Sequence, residues 1–127
     1  MKMLFKLRVA GALGLVSVIS MAACAAAPVQ KDAAYRTLND LVSAVATTGL
    51  KCEGAYQRFD DGASEVRSCR TNSWVGIYGT PSSRDRQVEI QKGSNDTVMV
   101  VGPNWIVKAP LGYAMNVSDK LGGTIQE

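Results

Sequence analysis

The chain has 127 residues, a length for one domain, and contains no histidine, so the commonest general base and the commonest transition-metal ligand are both missing. Its formal charge is +3, and Lys2, Lys6 and Arg8 account for all of it: fourteen Lys and Arg minus these three leave eleven, against eleven Asp and Glu. A neutral remainder without any block of like charge gives no support to nucleic acid or a polybasic membrane contact as a partner.

Behind that basic head, Val9 to Ala23 runs uncharged through aliphatic and small residues, the layout of an export signal. Residues 1–23 are read as a signal peptide, 24–31 as a tether and 32–127 as a single extracytoplasmic domain. Cys24 directly follows Met21-Ala22-Ala23, which resembles a lipobox, where bacteria attach a diacylglyceryl group to the cysteine and cleave just before it. Met21 departs from the usual Leu, Val or Ile. Two readings compete. Val9 to Gln30 is uncharged for 22 residues, long enough for an uncleaved transmembrane anchor but weakly hydrophobic because of its Ala, Gly and Ser. A conventional cut after Ala23-Cys24-Ala25 would instead release a soluble protein.

Three cysteines are an odd number for an exported chain, and lipidation of Cys24 leaves Cys52 and Cys69 as a pair. In an oxidising compartment these form a structural disulfide worth roughly 3 kcal/mol in the chain-entropy picture. A redox pair would be closer together, and a metal site lacks partners, so neither a metal nor another cofactor is expected. Acyl chains such as palmitate on Cys24 would hold a small domain at the cell membrane, at roughly 0.8 kcal/mol per buried methylene.

Along the mature chain, Asp32 to Thr48 places Leu38, Leu41, Val42 and Val45 at helical spacing, with Asp32 as N-cap and Gly49 as the stop. Cys52 to Arg70 is polar. Asp60-Asp61-Gly62 reads as a turn, because two adjacent carboxylates are far short of a calcium ligand set, and Ser64 to Thr71 reads as extended. Trp74 to Gly79 suits a buried strand, and a Cys69 on the strand before it would tie the first helix to the sheet. Residues 82–92 are ambiguous: Ser82 or Ser83 caps a helix, yet Val88 and Ile90 alternate as in a strand. Thr97 to Val101 and Trp105 to Lys108 form a hairpin about Pro103-Asn104. Ala114, Val117 and Leu121 mark a last helix ended by Gly122-Gly123, and Thr124-Ile125 adds a short strand.

Gly102 to Val107 (GPNWIV), Leu121-Gly122-Gly123 and Ser83-Arg84-Asp85-Arg86 together resemble a group of small uncharacterised lipoproteins of actinobacteria and their phages, over roughly the C-terminal half. The resemblance implies a helix between two strands for the Arg-Asp element. It brings no catalytic residues.

The fold expected is α+β, a small antiparallel sheet with two or three helices on one face. Its core draws on Leu38, Leu41, Val42, Val45, Val75, Ile77, Val98, Val100, Ile106, Val107, Val117 and Leu121. No Gly-x-Ser-x-Gly, Ser-x-x-Lys or phosphate-cradling loop is present, so an enzyme is not expected. Trp74 and Trp105 are read chiefly as core residues; with Tyr78 they are also the candidates for ligand contact. Arg84 and Arg86, flanked by Asp85 and Glu89, read as a solvated helix face. The leading expectation is a membrane-anchored interaction module facing outside the cytoplasm, with an envelope protein or glycan as partner. The alternatives are a small-ligand binding lipoprotein or, on the phage side of the resemblance, a prophage lipoprotein that excludes superinfecting phages.

Overall fold

In the computed structural model the residues described are 29–60, 63–70, 72–93 and 96–127; the export segment and Cys24 lie outside them. Among the described residues three helices, α1 (Leu38–Ala46), α2 (Pro81–Gln91) and α3 (Leu111–Leu121), accompany six strands. The strands are β1 (Tyr56–Phe59), β2 (Ser64–Ser68), β3 (Trp74–Ile77), β4 (Val98–Val101), β5 (Trp105–Ala109) and β6 (Thr124–Gln126). They form one antiparallel sheet in the order β1-β2-β3-β5-β4-β6. The α+β architecture with a small antiparallel sheet is as expected from the sequence.

Strand alternation sorts the apolar residues onto two faces. Val75, Ile77, Val100, Trp105, Val107 and Ala109 join Leu38, Leu41 and Val45 of α1 and Ala114, Val117 and Leu121 of α3 in the main core. Tyr78, Met99 and Ile106 point the other way and pack with Val88 of α2. Two helices therefore lie on one face and the third on the opposite face. The inner strands β4 and β5 are largely apolar on both faces because both are covered, whereas β1 and β2 carry more polar residues.

Several local expectations are corrected. The first helix starts at Leu38, not near Asp32: the Thr37 hydroxyl accepts from the Asp40 N–H at 3.1 Å and is the true N-cap. Asp32 is drawn away by the C-terminal end of the chain, its N–H donating to Leu121 O at 2.7 Å and its Oδ1 accepting from Gly123 N–H at 2.8 Å. The second helix is capped by Thr80, whose hydroxyl accepts from Ser83 N–H at 3.1 Å, rather than by Ser82 or Ser83; Pro81 occupies its first turn. Strand β1 was not foreseen, because all four of its residues are exposed and no apolar alternation marks it. Val42 and Val98 are only partly buried, while Leu50, Met99 and Trp105 join the most buried side chains.

The disulfide joins Cys52 to Cys69 across 17 positions. Cys69 sits just past β2 in the link to β3, its N–H bonded to Ser73 O at 2.8 Å, so the bridge fixes the segment after α1 to the β2–β3 connection. The GPNWIV element has a structural role. Asn104 clamps Tyr35 from both sides, Oδ1 accepting from Tyr35 N–H at 3.0 Å and Nδ2 donating to Tyr35 O at 2.8 Å. Trp105 Nε1 donates to Ala33 O at 2.9 Å, and its ring stands edge-on to Tyr35. Gly102 is required beneath it, because a Cβ there would stand 2.0 Å from Trp105 Cε2.

Candidate ligand-binding groove

The face of the sheet that carries α2 is only half covered. The helix packs over β5 through Val88, Met99 and Ile106, and the β1–β3 half beside it is left as a trough of about 290 Å³. Register decides what floors it. Phe59 pairs with Ser64 and Gln57 with Val66, while Ser68 pairs with Trp74 and Val66 with Gly76, so Ser64, Val66, Ser68, Trp74 and Gly76 share that face. Helix α2 supplies the wall with Ser83, Arg86, Gln87, Ile90 and Gln91. The volume sits at the lower end of small-molecule sites, which run from about 300 Å³ upward.

Aromatic and apolar side chains line part of it. Phe59 is 41% exposed and Ile90 63%, and both line the trough. Trp74 is half-buried against Tyr78, Val88, Met99 and Ile106. Gly76 lets the rings of Trp74 and Tyr78 fold inward over the strand: a Cβ at position 76 would lie 2.7 Å from Tyr78 Oη and 3.3 Å from Trp74 Cζ3. The Tyr78 side chain is 6% exposed, and its hydroxyl has no hydrogen-bond partner among the described residues. Burial pushes its ionisation well above the ordinary value of 10.0, so the group is a neutral donor and acceptor at physiological pH.

The polar lining is mostly neutral. Gln91 Oε1 accepts from Lys108 Nζ at 2.7 Å, which turns that lysine's charge toward α2; burial lowers the lysine's affinity for its proton. Arg86 is the one ionised side chain among the described lining residues.

Of the three residues singled out for ligand contact, the structure brings Trp74 and Tyr78 together in this groove and leaves Trp105 apart. Trp105 is 0% exposed in the main core on the other face, since it lies an odd number of strand positions from Ile106 and carries the Ala33 hydrogen bond. Sequence reading missed Phe59, Val66 and Ile90. Ile90 had a signal: two residues from Val88, it cannot share one helix face with it, and that mismatch marks a second apolar contact on α2.

A second depression, of about 570 Å³, lies between α2 and the β4–β5 turn. Its charged groups are engaged in the fold. Arg84 Nη1 donates to Gly102 O at 3.1 Å and to Pro103 O at 2.6 Å while Nη2 reaches Asp85 Oδ1 at 2.9 Å, and Asp32 holds Gly123. The face expected to be simply solvated is in this respect a brace. Among the described residues no group of acidic and cysteine side chains is placed to hold a metal ion, and no helix is long and apolar enough to cross a membrane.

No family model matches this chain, and no curated protein or solved structure matches it.

Proposed function

We propose that the chain is a membrane-tethered binding module facing outside the cytoplasm, anchored through lipidated Cys24, and that it receives its ligand in the groove between α2 and β1–β3. The tether rests on the export-type N-terminus and the lipobox-like Met21-Ala22-Ala23-Cys24, with the Cys52–Cys69 disulfide in keeping with an oxidising compartment. The binding role rests on one observation: a trough of exposed aromatic and aliphatic side chains in which a buried tyrosine hydroxyl lacks a partner. An unpaired buried hydroxyl costs about 1–3 kcal/mol, and a ligand that bonds it recovers that cost.

The chain's two tryptophans make the test clean, because Trp74 lines the groove and Trp105 is sealed in the opposite core. Full-length protein labelled with 5-fluorotryptophan and reconstituted in lipid nanodiscs should give two fluorine resonances, and hits from a fragment library should move the Trp74 resonance alone. If no fragment moves it, or both resonances always move together, the groove is not a ligand site. In parallel, Cys24→Ala should abolish the acylated N-terminal peptide seen by mass spectrometry; an unmodified Cys24 behind an intact Met1 in the wild type would overturn the tether.

A further inference from the structure

We propose that the groove's ligand is a pyranose ring of an envelope glycan, uncharged or acidic. This deepens the preceding reading and depends on it. The groove's surface alternates in character over short distances. Trp74, Phe59 and Val66 offer apolar area, while the side chains of Ser68, Gln87 and Gln91 stand among them and the unpartnered Tyr78 Oη lies buried just beneath.

A wholly apolar partner would leave these donors and acceptors stranded, which would cancel much of what its buried area contributes. A fully polar partner would forfeit the aromatic faces. A sugar ring matches both: its axial C–H bonds form an apolar face that lies on an aromatic ring, and its hydroxyls project around the rim as donors and acceptors at every depth. The ionised group among the described lining residues, Arg86, admits neutral or acidic sugars and disfavours amino sugars that carry a free ammonium. The groove's size suits one or two rings, so the unit recognised is a short stretch of a longer chain or a free oligosaccharide.

The test uses the same fluorotryptophan-labelled full-length protein in nanodiscs with four named probes: tri-N-acetylchitotriose, maltotriose, trigalacturonate and free glucose. At least one trisaccharide should shift the Trp74 resonance saturably. Trp74→Ala should weaken that binding about tenfold, read by calorimetry, and Tyr78→Phe should weaken it severalfold with no loss of thermal stability. Affinity that rises from glucose to a trisaccharide assigns the site to a polymer; equal affinity assigns it to a free sugar. If indole-like fragments move the Trp74 resonance and none of the sugars does, the groove binds ligands but the sugar assignment is wrong. If neither does, both readings fall. Sugar binding that survives Trp74→Ala unchanged also overturns the proposal.

Discussion

Tyr78 is the residue at which folding and ligand binding make opposite demands. For the fold alone, its hydroxyl is a buried polar atom without a partner, and removing it costs no hydrogen bond. Tyr78→Phe should therefore be as stable as the wild type or up to about 1 kcal/mol more stable by chemical denaturation, while ligand affinity falls. Its ionisation carries a second prediction. The folded-state pKa lies above the ordinary 10.0, so the stability linked to this group is complete below pH 10.0 and is lost progressively as the pH rises from there through the folded-state pKa. Lys108 acts in the opposite sense: burial lowers its pKa from 10.5, so stability rises with pH just below that value. Thermal midpoints measured between about pH 9 and 11 should fall less steeply for Tyr78→Phe than for wild type. The fall persists in part, because Tyr35 is raised by its burial and Tyr56 chiefly by its hydrogen bond to Glu65.

At the level of elements, α2 carries the groove wall on modest local support. It buries only Ser83 and Val88, with no acidic residue in its first turn and no basic residue in its last. What fixes it is the Thr80 cap and the Arg84 brace onto the β4–β5 turn. Thr80→Ala should cost about 1 kcal/mol in a denaturant titration and weaken ligand binding more than it weakens the fold, because the wall frays before the sheet does. The ambiguity of residues 82–92 in the sequence has the same origin. Val88 faces the small core under the helix and Ile90 faces the groove, so the two apolar residues cannot make a single helical stripe and their spacing of two imitates a strand.

At the scale of the whole molecule, distant parts of the chain meet at the Gly102–Trp105 turn. Tyr35 is held by Asn104 across 69 positions, Ala33 by Trp105 across 72, and Arg84 reaches the same turn from α2. Asn104→Ala would remove both bonds to Tyr35 and leave the partner N–H and C=O unpaired. It should lower stability by roughly 2 kcal/mol and increase hydrogen exchange at Tyr35 before any change in the disulfide-linked β2–β3 region. The GPNW element thus reads as a latch for the segment that leads into the domain, and the site lies elsewhere.

The residue patterns by themselves determined the α+β class, the hairpin about Pro103, the last helix and the Cys52–Cys69 pair, because helical and strand periodicity, turn chemistry and cysteine parity are local or countable properties. They named Trp74 and Tyr78 as residues that could meet a ligand, without distinguishing them from Trp105, since an aromatic beside aliphatics looks the same whether its face of the strand is covered or open. Only the tertiary structure decided that. Strand order leaves β1–β3 uncovered on the α2 face and seals Trp105 under α1 and α3, and it brings Phe59 and Ile90, 31 positions apart, to one groove. Which half of a sheet a helix covers follows from long-range packing, and that information is spread over the whole chain.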